Sequence, residues 1–275
     1  MTTIDDKRNH IDSLLMRESL LDKDVMASTG SERTFKMLPD VSVIKIGGRT
    51  VIEAGKDVCY GACDALMEVM EDEKLIISTG GGARTRHVLS VGIDLGLPAG
   101  VLAQISMPDA LGNAHILGTI LAPKGVVAIP PEIFGHLLPL FVNSVPGVIF
   151  NGVPPYNLWE HPPKVGRIPP NRSDAGTYQL GECFGVKSVT LAKDVDGLYD
   201  KDPHKYSDAK MFDRISVQEL KERNLKTLPF DRVVLDLMEN ARLIKEIQLI
   251  NGHHPDRIKA AIKGEHVGTI IYLDE

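Results

Sequence analysis

Three cysteines in 275 residues, Cys59, Cys63 and Cys183, leave no disulfide framework. An odd number in a chain of this size fits a reducing compartment. Cys59 and Cys63 stand four apart and can share a helix face. No second Cys or His pair lies near enough in sequence to complete a metal site, so they read as small core residues. No apolar run reaches signal-peptide or membrane-spanning length, which points to an untethered cytoplasmic protein. Positive charge is not in excess: 31 Lys+Arg stand against 37 Asp+Glu, a formal net charge of −6. That argues against a general nucleic-acid binder, which usually carries a basic stripe. There is no internal repeat and no low-complexity tract. What remains, with 43% hydrophobic and 25% charged residues, is the make-up of a globular protein with a generous core. An acidic chain has no bulk attraction for an anionic ligand, so any such ligand must be held by local groups.

Residues 1–38 read as a polar extension, and 39–275 as the main domain. Within the extension, apolar residues at 11, 14, 15 and 20 approach helical spacing, and Ser28–Ser31 reads as a link. The main body alternates strand and helix. Val41–Ile46, Leu75–Thr79, Val126–Ile129, Gly147–Phe150, Ser188–Ala192, Glu246–Ile250 and Thr269–Tyr272 read as strands. Helical patterns cover about 53–71, 83–95, 109–122, 133–142, 175–184, 217–223, 232–242 and 257–262. Such alternation predicts a mostly parallel sheet covered on both faces, an α/β/α sandwich. From Asn151 to Arg172 six prolines exclude regular helix and central strand, leaving a long loop or lid.

Four motifs carry chemistry. Lys45-Ile-Gly47-Gly48 sets a lysine near the C-terminal end of a strand, with two glycines after it; glycine lets a backbone N–H approach a phosphate, and lysine adds a point charge. The plain alternative is a turn. It is not a Walker A loop, whose Gly-Lys-Ser/Thr ending is absent. Gly80-Gly81-Gly82-Ala-Arg84-Thr-Arg86 also follows a strand and feeds a helix, a natural anion site or a tight turn with surface arginines. Arg172-Ser173-Asp174 opens a helix after the proline-rich loop, where Ser173 or Asp174 is an ordinary N-cap residue. Lys193-Asp194-Val-Asp196-Gly197-Leu198-Tyr199-Asp-Lys-Asp202-Pro ends another strand. Its lysine can reach phosphates, one carboxylate can hold Mg²⁺, and Leu198 and Tyr199 can flank a purine. All four fall at strand ends of one presumed parallel sheet, where ligands bind. They therefore converge on one pocket.

These motifs, in this order from about residue 40 to 273, resemble the amino acid kinase family, which includes uridylate kinases, acetylglutamate kinases and aspartokinases. The resemblance implies ATP lying across the C-terminal strand ends. It assigns Lys45 and Lys193 to the phosphates, with Asp174 holding both lysines. It assigns Asp196–Asp202 to the base and ribose. Gly80–His87, Gly92–Gly100, Pro154–Trp159, Arg167–Asp174 and Gly264–Ile271 resemble more closely the branch of that family that uses ATP to store molybdate or tungstate. There the oxometalate is kept as polyoxometalate clusters inside a hexameric cage, a trimer of dimers. Cluster-ligating chains of that branch carry a histidine run after Pro-Pro-Tyr and a Glu-His pair elsewhere. This chain has Asn157-Leu-Trp159 and Pro130-Pro131 there, so it resembles the less ligating subunit type. His115, Glu132 and His136 remain candidate cage-facing ligands, each also readable as a structural residue. Trp159 reads as a subunit contact or as loop packing. Two further readings stay open: a small-molecule kinase, most readily a UMP kinase with Arg84 and Arg86 holding the acceptor phosphate, and a non-catalytic nucleotide-binding structural subunit.

Overall fold

The computed structural model describes residue 23, residues 34–155 and residues 157–274, without the side chains of 131–136 and 157. The expected helix beginning at Ile11 and the Ser28–Ser31 link lie outside the described residues. The chain divides into two units, Met1–Phe35 and Lys36–Glu275. The second contains an eight-stranded sheet of order β3-β4-β2-β1-β5-β7-β8-β6. Its strands are β1 (Val41–Ile46), β2 (Lys74–Thr79), β3 (Val127–Ala128), β4 (Gly147–Phe150), β5 (Ser188–Lys193), β6 (Arg214–Ser216), β7 (Glu246–Asn251) and β8 (Thr269–Tyr272). Every neighbouring pair is parallel except β7 with β8.

The two-residue period of the strands sorts their side chains into two cores. Val41 and Val43 of β1, Ile76 of β2, and Val189 and Leu191 of β5 face one side. They pack against α4 (Pro131–Ser144), α5 (Ser173–Phe184), α6 (Val217–Arg223) and α7 (Val233–Met238). Ile44, Ile46, Leu75, Ile77 and Ala192 face the other side. Those pack against α1 (Lys56–Val69), α3 (Ala99–Leu121) and α8 (Pro255–Ile262). The sandwich is thus a three-layer α/β/α arrangement, as the alternation predicts. In α1 the buried set Cys59, Ala62, Cys63, Leu66 and Val69 follows helical spacing. Both cysteines are free and buried there, as core residues.

Two elements differ from the sequence reading. The helix expected over 109–122 starts ten residues earlier, behind Pro98 at its N-cap, and runs straight through Pro108. Proline lacks an N–H and so gives up one helical bond. The buried residues Leu102, Ala103 and Ser106 on one side of it and Ala110, Ala114 and Leu117 on the other hold the helix together by packing. Strand β6 was not expected. Three residues are too short to show alternation, and β6 exists because β8 offers it a partner edge. The proline-rich segment 151–172 forms no helix or strand among its described residues beyond one 3₁₀ turn, Asn157–Trp159.

Candidate functional site: a cationic cleft at the strand ends

Strands β1, β2, β4 and β5 run parallel, so the segments that follow them gather along one edge of the sheet. The Gly47–Gly48 turn, the Gly80–Gly82 turn, the proline-rich segment and Asp194 meet there. Lys45 continues the face of Val41 and Val43, and Lys193 continues that of Val189 and Leu191. The two lysines therefore emerge on the same side of the sheet, the side covered by α5. Asp174, in the first turn of α5, meets both. Lys45 Nζ lies 2.7 Å from Asp174 Oδ1, and Lys193 Nζ donates to both oxygens of that carboxylate at 2.8 Å. All three are nearly inaccessible, at 5%, 6% and 4% exposure.

A fourth residue completes the cluster. Asp231 Oδ2 accepts from the backbone N–H groups of Asp174 and Ala175 (3.1 and 3.4 Å), so a residue distant in sequence caps α5. The Asp231 N–H donates back to Asp174 Oδ2 at 3.0 Å, and Arg172 pairs with Asp231 Oδ1 at 2.6 Å. Burial alone would raise the Asp174 carboxyl, but the Lys193 and Lys45 ammonium groups hold it well below the usual carboxylate range. Burial pushes Lys193 down to about 8; Asp174 opposes the shift and the Lys45 charge adds to it. Burial, and then the Asp174 charge, raise Asp231. With Asp174 ionised, the two lysines exceed its charge by one; Arg172 offsets Asp231, and Arg86 adds a further positive charge to the cleft. The cleft is built for an anion.

That cleft has a volume of about 330 Å³ and takes in Lys45, Gly47, Gly48, Gly80–Gly82, Arg86, Asp174, Lys193 and Asp194. Its glycines are required by space. A Cβ on Gly48 would fall 2.2 Å from the Gly80 carbonyl oxygen and 2.6 Å from the Gly82 nitrogen. Arg86 lines the cleft, whereas Arg84 lines a separate groove behind the glycine turns. The Ala83 N–H, at the start of α2 (Gly82–Asp94), is taken by the carboxylate of Glu53 at 2.9 Å. A smaller pocket of about 170 Å³ adjoins the cleft. It shares Arg49, Asp194, Leu228 and Pro229 with it and adds Gly197, Tyr199 and Asp202.

The remaining predicted residues fall less centrally. Leu198 is fully buried in the core rather than facing the pocket. Asp196 is committed to protein partners. Asn251 donates to it at 3.0 Å and Arg257 at 2.6 Å, and together they hold it below the usual carboxylate range. His115 is exposed on α3; Glu132 and His136 lie in α4 among the residues whose side chains are not described. No group of three or more His, Cys, Asp or Glu suited to a metal ion occurs among the described residues. Sequence reading missed Asp231 and Asn113. Asp231 sits just before a helix and looks like a capping residue. Only its packing against Asp174, 57 positions away, shows otherwise.

A mostly parallel α/β/α sandwich with glycine turns and paired lysines at its strand ends defines the class, and the profile of the amino acid kinase family matches residues 40–251. The chain belongs to that family. It is 42% identical over 264 residues to the molybdenum storage protein subunit beta of Azotobacter vinelandii, covering 95% of this chain and 96% of that one. It is 30% identical to the uridylate kinase of Staphylothermus marinus, over 84% of this chain and 97% of that enzyme. The crystal structure of uridylate kinase from Archaeoglobus fulgidus superposes with a TM-score of 0.65 at 23% identity, covering 84% of this chain and 99% of that one. This last likeness concerns the fold.

Proposed function

We propose that this chain is an ATP-binding and ATP-hydrolysing subunit of an oligomeric store for molybdate or tungstate. The observation that carries the ATP half is the buried Lys45–Asp174–Lys193 cluster beside two glycine turns. The storage half rests on the full-length similarity to a molybdenum storage subunit. In this reading Lys45 and Lys193 neutralise the phosphates, and Asp174 holds both ammonium groups in place. Asp231 fixes Asp174 from behind. The glycine turns let backbone N–H groups approach, and the pocket of Gly197, Tyr199 and Asp202 takes the base and ribose. Phosphoryl transfer needs positioning and charge stabilisation more than a protein nucleophile, and water serves as acceptor. Asp174 already serves the two lysines, so Asp194, which lines the cleft, is the carboxylate that would hold Mg²⁺ directly or through water, and the ion would offset phosphate charge.

Like subunits assemble around the stored metal in this reading, as a homo- or hetero-hexamer. Trp159, 85% exposed, supplies an apolar contact for such a neighbour. His115, Glu132 and His136 are the proposed cage-facing groups. Residues 1–38 form an extension to the 39–275 kinase-like domain, and the compartment is the cytoplasm. No described helix is long and apolar enough to cross a membrane.

Loading the purified protein with molybdate and Mg-ATP tests the proposal. The expected result is ATP-dependent retention of molybdenum by the assembly, read as native mass and metal content. An intact assembly that retains neither Mo nor W overturns it. A UMP kinase reading draws on Arg86, which lines the cleft after the triple glycine. The cleft lining combines apolar Leu89, Ala103, Ala110 and Val153 with polar Thr85, Asn171 and Ser173. A coupled ADP-release assay separates the two: UMP-stimulated turnover supports the kinase, and molybdate-stimulated turnover without an acceptor supports the store.

The lowered Lys193 pKa gives a second test. Its ordinary value is 10.5 and its folded value about 8. Between those values the unfolded chain holds the proton and the folded chain does not, so this group makes stability rise with pH across that window. A bound triphosphate restores the charge. ATP binding at pH 8 is then expected to take up about half a proton at Lys193, and almost none at pH 6.5. Titration calorimetry in two buffers of different ionisation enthalpy measures this; equal uptake at both pH values contradicts it.

A further inference from the structure

Arg84 stands in a groove of about 740 Å³ on the far side of the glycine turns, with Asn113, Glu53 and Lys56. Among the described residues no carboxylate pairs with it. Its Nη2 donates to Asn113 Oδ1 at 2.5 Å. The amide of Asn113, only 1% exposed, donates in turn through Nδ2 to the Gly80 carbonyl oxygen at 2.6 Å. The three groups form one chain from the groove to the loop that floors the cleft.

We propose that Arg84 and Asn113 are positioning residues that turn the Gly80–Gly81 peptide for anion binding, a proposal that rests on the ATP-site reading above. The peptide is trans, so its C=O and N–H point opposite ways. With the Gly80 oxygen drawn to Asn113, the Gly81 N–H faces away from Asn113. A carbonyl oxygen turned into a cleft that holds phosphates repels them, whereas an N–H attracts them. Arg84 decides which end of the Asn113 amide meets Gly80. The two ends of an amide are nearly the same in shape, and the reverse orientation would set oxygen against oxygen. A guanidinium on Oδ1 permits one orientation alone. Gly48 packs against the same amide, with a Cβ position only 2.9 Å from Asn113 Nδ2. Both glycine turns therefore lean on this one side chain. Arg84, which the sequence reading assigned to the phosphates directly, acts on them at second hand.

The test measures ATP affinity by calorimetry and melting temperature without nucleotide for the parent protein and three variants. Asn113→Asp keeps the shape and still pairs with Arg84 but cannot donate to Gly80; its ATP dissociation constant is expected to rise about tenfold. Arg84→Met frees the amide and is expected to weaken ATP binding by about three- to fivefold. Arg84→Lys keeps one donor for Oδ1 and is expected to stay within about twofold of the parent. Arg84 is exposed, so its variants decide the matter even where Asn113→Asp does not fold. Parent-like ATP affinity in Arg84→Met, or equal loss in Arg84→Lys and Arg84→Met, overturns the positioning role. Absence of ATP binding by the parent protein overturns the ATP-site reading itself, and this proposal with it.

Discussion

Asp174→Ala is expected to lower the unfolding free energy by about 3–5 kcal/mol. For a chain of this size that is a fall in melting temperature of roughly 10 °C. Lys45 and Lys193 are both buried, and this one carboxylate is the ion-pair partner of each. Its removal leaves two ammonium groups side by side, both of them buried, without the carboxylate that pairs with each; Asp231, the next nearest acid, is already paired with Arg172. The backbone N–H of Asp231 loses its acceptor as well. Asp174→Asn separates charge from shape: it keeps the volume and one acceptor but leaves the lysines unneutralised, so its melting temperature falls between parent and alanine variant. An alanine variant that melts with the parent would mean that the lysines find compensation elsewhere.

Lys45→Met is expected to cut ATP hydrolysis by about 10²–10³-fold while sparing the fold, because one well-placed charge at a reacting group is worth that much. Asp174 keeps Lys193, so no buried carboxylate is stranded. The methionine retains most of the lysine stem, so packing against the sheet face survives. Phosphate release at saturating Mg-ATP, with melting temperature alongside, reads both effects. A variant that hydrolyses ATP at the parent rate would remove Lys45 from the chemistry. A parent that binds ATP without hydrolysing it would favour a structural nucleotide-binding subunit.

Much of this architecture can be read from the chain because its cause is local. Val41, Val43 and Lys45 alternate with Ile44 and Ile46, which is enough to predict a buried strand ending in a lysine that faces one side. Glycines after β1 and β2 mark turns without knowledge of their neighbours. The cap on α5 is different in kind: Asp231 and Asp174 are joined only by folding, and no spacing rule links them. Asn113 likewise reads as one more residue of a long helix until Gly80 is seen against it. The division between Arg84 and Arg86 lay within reach. Residues two apart on a helix point in nearly opposite directions, so a single anion in one cleft does not meet both. The helix expected over 109–122 fell short for the opposite reason: Pro108, which a local rule makes unfavourable in a helix, is held inside it by packing on both sides.

The reversal between β7 and β8 has a consequence for the order in which the site comes into being. Because β8 runs against β7, its first residue, Thr269, sits at the edge where β7 and the strands parallel to it end. Its hydroxyl accepts from the Leu198 N–H at 2.8 Å and donates to the Phe212 carbonyl, and Gly197 packs directly against it. The wall proposed for the base thus hangs on the last strand of the sheet. During synthesis the lysine pair and both glycine turns emerge while Thr269 has yet to be made, and chains gain structure from the N-terminal side first. A nascent chain can gather its lysines and glycine turns before the proposed base wall is in place, so in the ATP-site reading tight nucleotide binding is expected only of chains made through β8.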